Sequence, residues 1–314
     1  MKNNALEFIK NANSILLLTH ESPDGDAIGS VLAFYNYLKG INKAVDMVIP
    51  DIPNVFKFLP SINKAVDRTL NSYDLAIVLD CASKDRICQR DDILSRCKNS
   101  ICIDHHISNK GYCDINIIEG NISSCCQVVY YLFKDWGLPF SDDILISLMS
   151  GVLTDTKGFS INNVDKDTFL MASEFISFGL NIHQLYDRLL CKKTIGQHLL
   201  TKLAVDRLEF IEDGKIAFTY IFKQDFIDTN AVIGDHEGIV DVGRNIDGVL
   251  VSVFIREDDG FTVSLRSTGI VDVSKIALSL SGGGHFMAAG TKLSLNFKET
   301  KELVLNSIKK EINH

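Results

Sequence analysis

The segment LLLTHESPDGDAIGS, residues 16–30, connects one apolar run to another through a turn rich in Pro, Gly and Asp. Residues 14–19 have the length of a buried strand. Residues 27–40 carry apolar side chains at helical spacing, with Gly40 as a candidate C-cap. The segment therefore predicts a strand, a turn and a helix. The turn contains one imidazole and two carboxylates, those of His20, Asp24 and Asp26.

The same pattern, an apolar run that ends on acidic or imidazole side chains, recurs in DLAIVLD (residues 74–80) and SICIDHH (residues 100–106). The segment SDDILISLMSGVLTDT (residues 141–156) opens with Ser and Asp, as helices commonly do, and reaches Asp155 near its end. Short apolar strands that alternate with helices predict an α/β fold. We expect its N-terminal parallel sheet to be covered on both faces.

The later part of the chain is richer in β-forming residues and hairpin turns. Asp213-Gly214 separates two β-rich runs, and GVLVSVFIREDDGFTVSLRS (residues 248–267) is the clearest hairpin pattern. A helical pattern follows over residues 271–280, and TKLSLNF (residues 291–297) is a further candidate strand. We therefore expect an N-terminal domain over residues 1–185, a helical linker over 186–205, and a smaller C-terminal α/β domain over 206–314.

Composition limits the classes of function. The chain has 314 residues, 46% hydrophobic residues and a net charge of −8, which suits two ordinary domains and argues against binding long nucleic acid on a basic face. Without a signal peptide in MKNNALEFIKNANS or an apolar run of about 20 residues, we expect a cytoplasmic protein with no membrane partner. The eight cysteines, without a CxxC pair, indicate reduced thiols. A monomer and a homodimer both remain open.

The polar residues at the ends of the apolar runs form a candidate metal site. In parallel α/β sheets, ligands bind at the carboxyl ends of the strands, so these side chains should converge on one edge. That many carboxylates would repel each other without cations. Carboxylate and imidazole donors suit Mn²⁺ or Mg²⁺, and two metals about 3.5–4 Å apart commonly serve in-line attack at phosphorus. The candidates are His20, Asp24, Asp26, Asp80, Asp104, His105, His106 and Asp155.

Each piece taken alone has an ordinary structural explanation, since Asp-Gly-Asp is usually a turn and a lone histidine usually a structural group. In combination, HESPDGDAIGS, IVLDCAS, IDHHIS and GVLTDTKGFS resemble motifs I to IV of the DHH phosphoesterase family. LRSTGIVDVSKIALSLSGGGHFMAAG (residues 265–290) is similar to the DHHA1 domain that accompanies it. Size and layout resemble the nanoRNase/pAp phosphatase group. RecJ exonucleases are longer, and the membrane-bound cyclic-di-AMP phosphodiesterases carry transmembrane segments.

The resemblance implies a role for each candidate residue. It implies two Mn²⁺ ions, with Mg²⁺ as the alternative. One metal would be bound by His20, Asp24 and Asp80, and the second by Asp26, Asp80, His105 and Asp155, with Asp80 bridging. Asp104 would orient an imidazole, as metal-site histidines commonly require. His106 would face the substrate and either polarise the phosphate or protonate the leaving oxygen.

The segment SGGGH (residues 281–285) is by itself typical of a glycine C-cap. Three glycines also let backbone N–H groups approach a phosphate closely. The resemblance implies that this loop binds the nucleotide, although Ser281 replaces the first of the family's usual four glycines. Arg266 suits a bidentate phosphate contact but could equally be an exposed strand arginine. The implied binding residues are Arg266, Ser267, Gly282, Gly283, Gly284 and His285. Relatives place a helix that lines the site at SSCCQVV (residues 123–129).

The expected function is hydrolysis of very short oligoribonucleotides or linear dinucleotides, such as pApA and pGpG, to mononucleotides, and of pAp to AMP. The acidic net charge favours short substrates, because a polymer needs a basic track. A manganese-dependent inorganic pyrophosphatase is one alternative, but it should lack the glycine-histidine loop. A non-catalytic nucleotide-binding regulator is another, and it predicts a missing metal ligand, whereas none of the six is missing.

Overall fold

In the computed structural model, which describes residues 2–69, 71–88 and 92–312, the chain divides between Lys192 and Lys193 into two units. The first unit contains a five-stranded sheet of order β2-β1-β3-β4-β5, and every neighbouring pair is parallel. The strands are β1 (Ser14–Leu18), β2 (Ala44–Met47), β3 (Tyr73–Leu79), β4 (Cys97–Asp104) and β5 (Ile115–Ile118). The predicted α/β class and parallel N-terminal sheet are confirmed.

The α-helices of the first unit are α1 (Lys2–Asn11), α2 (Gly25–Gly40), α3 (Cys125–Asp135), α4 (Asp142–Asp155), α5 (Lys166–Ser177) and α6 (Ile182–Tyr186). At the starts of α2 to α5, a side chain accepts a hydrogen bond from the first free N–H groups of the helix. Asp24, Ser124, Ser141 and Asp165 cap α2, α3, α4 and α5 in this way. The prediction that Gly40 caps α2 is wrong. Gly40 is still helical, and Asn42 (φ 59°) takes the left-handed conformation after the helix.

Strand β1 shows why both faces of the first sheet are buried. Ile15 and Leu17 pack into a core cluster built largely from α2, α3 and α4, whereas Leu16 and Leu18 pack on the opposite face. Strand order places β1 between β2 and β3, so the strand order reverses between β1 and β3. Sheets of this order bind ligands just beyond the carboxyl ends of the strands at that reversal.

The second unit contains a six-stranded sheet of order β10-β11-β9-β8-β7-β6, in which β7 and β8 are parallel and the other pairs antiparallel. Its strands are β6 (Glu209–Ile211), β7 (Ile216–Ile221), β8 (Val251–Asp258), β9 (Gly260–Ser267), β10 (Gly283–His285) and β11 (Ala288–Leu293). Its helices are α7 (Ile195–Asp206), α8 (Lys223–Asp228), α9 (Ile239–Arg244), α10 (Val273–Ser279) and α11 (Phe297–Ile312).

Two details of the second unit differ from the predicted elements. The candidate strand over residues 291–297 ends at Leu293, and Phe297 already begins α11. The glycine segment is partly a strand, because Gly283–His285 pairs with Ala288–Gly290. The β8–β9 hairpin lies within the predicted stretch. Over the residues that the structure describes, no helix has the length and apolar character of a membrane span.

Candidate metal centre

The polar residues of the first unit lie where the parallel strands end. His20 follows β1, Asp80 directly follows β3, and Asp104 is the last residue of β4, with His105 and His106 next in sequence. The other three candidates come from helix ends. Asp24 caps α2, Asp26 lies in its first turn, and Asp155 is the last residue of α4.

Seven of these eight residues, all except Asp104, come together in three overlapping groups, within each of which the candidate ligand atoms lie within 4.8 Å of one another. The groups are His20, Asp24 and Asp80; Asp26, His105 and Asp155; and Asp80, His105 and His106. Asp80 and His105 each belong to two of them. The first unit thus brings together all six predicted metal ligands, from four separate segments of the chain.

His105 shows that these contacts are not ordinary hydrogen bonds. Its Nε2 lies 3.7 Å from Asp80 Oδ1 and 3.8 Å from one carboxylate oxygen of both Asp26 and Asp155. Such distances are too long for hydrogen bonds. The three carboxylate oxygens therefore surround His105 Nε2 without forming hydrogen bonds to it.

Asp80 is the most constrained carboxylate of the cluster. It is 2% exposed, and its Oδ1 accepts no hydrogen bond from the described residues. Burial, followed by the charges of Asp26 and Asp24, raises the pKa of Asp80 well above its usual value. A buried carboxylate oxygen without a partner is costly, and a cation removes that cost. The donor set, imidazole nitrogen and carboxylate oxygen without thiolate, fits Mn²⁺ or Mg²⁺.

The backbone at Asp80 is also unusual. Its φ of 53° is left-handed, a conformation that non-glycine residues rarely adopt and that Asp and Asn tolerate best. The chain therefore turns sharply at Asp80, directly after β3. Strain of this kind persists at sites where the surrounding structure enforces it.

Asp26 is held by the N-terminus of α3. The backbone N–H groups of Cys125 and Cys126 donate to its two carboxylate oxygens at 2.6 and 2.9 Å. A helix N-terminus stabilises negative charge, which opposes the rise in pKa that burial imposes on Asp26. The resemblance implied that a helix at residues 123–129 lines the site. This helix contributes backbone N–H groups, which hold Asp26. Ser123 and Ser124 are buried, with Ser124 as the N-cap of α3.

The ring nitrogens of two histidines are assigned by their partners. His20 Nδ1 lies 2.7 Å from the carbonyl oxygen of Glu21, and His105 Nδ1 lies 3.1 Å from that of Ile122. Because a carbonyl oxygen only accepts, each Nδ1 must carry the proton. In the neutral rings Nε2 then offers its lone pair, and it faces Asp80 in both cases. This tautomer is the one that metal binding through Nε2 requires.

His106 is tied to Asp104 rather than to a carbonyl group. Its Nδ1 lies 2.7 Å from Asp104 Oδ1, which also accepts from the backbone N–H groups of His105 and His106. The hydrogen bond to Asp104 raises the pKa of His106. Burial alone would raise the pKa of Asp104, but hydrogen bonds from His106 and Asn109 hold it below its ordinary value. Asp104 therefore stays ionised and orients the ring.

The clustered carboxylates make the stability of the metal-free protein depend on pH. Burial and the charges of Asp26 and Asp24 raise the pKa of Asp155 to about 8. A carboxyl whose pKa is higher in the folded than in the unfolded state stabilises the fold when protonated. That stabilisation is lost as the pH rises through the folded-state pKa. Between pH 5.5 and 8, in EDTA, we expect the melting temperature to fall by ~5 °C.

Differential scanning calorimetry checks this expectation. Saturating Mn²⁺ should reverse the trend, because metal binding requires deprotonated carboxylates. Asp155→Asn, which cannot ionise, should flatten the pH dependence in EDTA. Equal melting temperatures of the wild type at both pH values in EDTA would rule out the proposed carboxylate repulsion.

The remaining predicted residues lie in the second unit, on its β9-β11-β10 edge. Ala288 of β11 pairs with Arg266 on one side and His285 on the other, so these three side chains share one face of the sheet. Arg266 makes no ion pair with a carboxylate of the described residues, and its guanidinium donates to the Leu265 carbonyl at 3.0 Å. Ser267 is fully buried, and its hydroxyl accepts from the backbone of the following turn.

The glycines of residues 282–284 differ in what the fold requires of them. A Cβ on Gly282 would lie 2.2 Å from the Gly290 carbonyl oxygen, and one on Gly284 would lie 2.4 Å from Ala289 Cα. Both positions need glycine for strand packing. A Cβ on Gly283 would meet no atom within 4 Å. Ser281, where the family usually has glycine, adopts φ 60°.

Comparison with known proteins finds two family domains in the chain, one in each unit. Residues 14–152 match the DHH family, N-terminal domain, and residues 213–314 match the DHHA1 domain. The chain is 30% identical to the bifunctional oligoribonuclease and PAP phosphatase NrnA of Thermus thermophilus, over 95% of this chain and 90% of that one. The Bacillus subtilis protein of the same name is 26% identical over 93% of each chain.

A solved structure resembles the chain over almost its whole length. The crystal structure of an exopolyphosphatase-related protein from Bacteroides fragilis superposes with a TM-score of 0.92 at 27% identity. The superposition covers 98% of this chain and 95% of the other. Both the metal-site unit and the second unit thus have counterparts in one solved protein.

Proposed function

The chain belongs to the DHH family, and from that premise we propose that it is a two-metal phosphodiesterase of very short oligoribonucleotides. It would release mononucleotides from linear dinucleotides such as pApA and pGpG, and AMP from pAp. We assign catalysis to residues 1–185, a helical linker to residues 186–205 and substrate binding to residues 206–314. The single observation that carries the proposal is the buried Asp80 oxygen, which has no hydrogen-bond partner among the described residues and belongs to a residue shared by two of the three donor groups.

We propose two Mn²⁺ ions as the cofactor. His20, Asp24 and Asp80 would hold one, and Asp26, Asp80, His105 and Asp155 the other. Mg²⁺ would fit the same oxygen donors, while the imidazoles favour Mn²⁺. The nearby thiol of Cys81 does not compete for metal, because burial raises its pKa to about 12 and keeps it protonated.

The chain's own residues account for the rest of the chemistry. Bound divalent cations would supply Lewis acidity toward the phosphate and lower the pKa of water. His106 is held at Nδ1 by Asp104, which leaves Nε2 to hydrogen-bond a phosphate oxygen or to protonate the leaving oxygen. The two N–H groups at the N-terminus of α3 hold the Asp26 carboxylate in place, so that it need not reorganise during the reaction.

Substrate binding is assigned to the second unit. Arg266 has no carboxylate partner in the described parts of the chain and shares a sheet face with His285, a combination that suits a phosphate group. Gly283 supports the same assignment, because the fold itself leaves room for a side chain there. A ligand that approaches the backbone closely would explain why none is present. We assign Ser267 an indirect part, as the residue that stabilises the turn after Arg266.

Arg266→Ala is expected to raise the KM for pApA at least ~10-fold while leaving kcat and bound Mn²⁺ nearly unchanged, since it removes a charged contact to the substrate and no proposed metal ligand. Steady-state kinetics with metal analysis checks this. Lys292→Ala is the matched control, because Lys292 lies on the same strand face opposite Thr262, away from Ala288. An unchanged KM for Arg266→Ala, or an equal rise for Lys292→Ala, would remove Arg266 from the binding site.

A side-by-side assay tests the proposed function. The purified protein with Mn²⁺ is given pApA, pAp, inorganic pyrophosphate and an RNA of about 24 nucleotides. An RNA of that length is bound along a basic surface. We expect hydrolysis of pApA and pAp to AMP, with little action on the other two. Preference for pyrophosphate would instead support a manganese-dependent pyrophosphatase. Binding of pApA without turnover would support a regulatory protein.

A further inference from the structure

Asn109 lies three residues beyond His106 and is 6% exposed. Its side-chain nitrogen donates to Asp104 Oδ2 at 2.6 Å and to the Cys81 carbonyl oxygen at 3.2 Å. Its side-chain oxygen accepts from the backbone N–H of Gly111 at 2.8 Å. A buried amide with this many partners is fixed in one orientation.

The two oxygen acceptors of the Asn109 amide belong to the ends of adjacent strands, and its third acceptor is the Cys102 sulfur of β4 at 3.5 Å. Cys81 follows Asp80 at the end of β3, and Asp104 ends β4. One neutral side chain therefore connects the segment that carries the central carboxylate with the segment that carries both histidines. Its donors match these acceptors, and a carboxylate at the same position would repel Asp104.

The two oxygens of Asp104 have separate partners. Oδ1 accepts from the His106 ring and from two backbone N–H groups, whereas Oδ2 accepts from Asn109. Without the Asn109 amide, Oδ2 would be a buried anion lacking its donor. The Asp104 carboxylate would then gain by rotating away from the position that orients His106.

We propose that Asn109 is a positioning residue of the hydrolytic site, which holds Asp104 and, through it, the His106 imidazole in place for the substrate. The inference rests on the proposed function, because it concerns the same site. The alternative is that Asn109 only stabilises its loop through Gly111. Asn109→Asp separates the two roles, since a carboxylate keeps the acceptor for Gly111 but loses both donors.

A matched control lies in β5, at Asn116, whose side chain holds the same loop. Asn116 accepts from the backbone N–H groups of Tyr112 and Cys113 and donates to the Cys113 carbonyl. These hydrogen bonds do not involve Asp104. Asn116→Ala therefore disturbs the loop without touching the Asp104–His106 pair.

Steady-state kinetics on pApA at saturating Mn²⁺ tests the inference. We expect Asn109→Asp to lower kcat ~30-fold or more with KM within ~3-fold, and Asn116→Ala to lower the melting temperature while keeping kcat within ~3-fold. In a His106→Ala background, Asn109→Asp should lower kcat by less than a further ~3-fold, because its effect passes through His106. If Asn109→Asp lowers kcat as much in that background as in the wild type, or if Asn109→Asp and Asn116→Ala lower kcat equally, the inference is overturned.

A second measurement does not depend on turnover. In ¹H–¹⁵N NMR spectra, the His106 Nδ1 proton that is hydrogen-bonded to Asp104 should be present in the wild type and in Asn116→Ala, and lost or shifted in Asn109→Asp. An unchanged signal in Asn109→Asp would contradict the positioning role. Failure of the proposed function has a different signature, namely a wild-type protein with no activity on pApA or pAp but with an intact His106 signal.

Discussion

Asp80→Asn is expected to reduce hydrolysis of pApA at least ~10³-fold at saturating Mn²⁺, since it disables the residue shared by the two proposed ion sites. Asp80 lies in two of the three donor groups, and its buried Oδ1 has no other partner among the described residues. Asn has nearly the same shape and tolerates the left-handed φ of 53°. The loss should therefore come from the missing charge and not from a changed fold.

Kinetics, bound Mn²⁺ and melting temperature are measured together for this variant. We expect bound metal to fall with activity, while in EDTA at pH 8 the variant melts no lower than the wild type, because an amide cannot carry the negative charge that burial disfavours at this position. Asp74→Asn is the matched control at the opposite end of β3. Asp74 accepts from the backbone N–H groups of Asn13 and Ser14 and pairs with Lys98, so its loss should affect stability alone. Substantial activity in Asp80→Asn would refute the shared role.

Gly29→Ala is expected to destabilise the first unit by ~3 kcal/mol, seen as a melting temperature lower by ~6 °C or more. A Cβ at Gly29 would lie 2.4 Å from the Ser147 carbonyl oxygen and 2.9 Å from Cys126 Sγ. The methyl group would therefore push α4 and α3 away from α2. Cys126 also donates its backbone N–H to Asp26, so the same shift should weaken metal binding.

Gly40→Ala is the matched control, because Gly40 ends the same helix and a Cβ there would meet no atom within 4 Å. It should leave the melting temperature unchanged or raise it slightly, as Ala favours the helix. Calorimetry with and without Mn²⁺ compares the two variants. If Gly29→Ala melts like Gly40→Ala, the close packing of α2 on α4 is not what places Asp26.

Much of the first unit follows from local sequence patterns. Residues 15–18, 75–79 and 101–103, within β1, β3 and β4, are continuously apolar, as segments buried on both faces must be, and a polar site residue follows each of them within two positions. Since parallel strands share a carboxyl edge, their convergence follows from the fold class. The meeting of His20, Asp80 and His105 is therefore predictable from the amino-acid sequence alone.

The supports of the site could not be anticipated in the same way. Asp26 is held by the backbone of Cys125 and Cys126, about a hundred positions away, and backbone N–H groups have no sequence signature. Asn109 lies close in sequence to Asp104, but Asn is common in loops for local reasons. Its donation to Asp104 depends on how β3 and β4 end side by side.

Predictions from the sequence differ from the structure at the Gly40 cap and at the glycine segment, residues 281–285. Gly40 resembles a cap because glycine usually takes the left-handed position after a helix, yet Asn42 takes it here. Glycine also disfavours strands, so propensity does not predict the pairing of residues 283–285 with β11. For residues 283–285, strand pairing outweighs the local preference.

The most direct test of a two-metal phosphodiesterase is a Mn²⁺ titration of EDTA-stripped protein, with pApA hydrolysis and bound metal followed in the same samples. The protein concentration is kept well above the dissociation constant, so that added metal is bound stoichiometrically. We predict no hydrolysis without metal and a plateau of activity at two Mn²⁺ per chain. Hydrolysis by the stripped protein, or a plateau at one Mn²⁺ per chain, would contradict it.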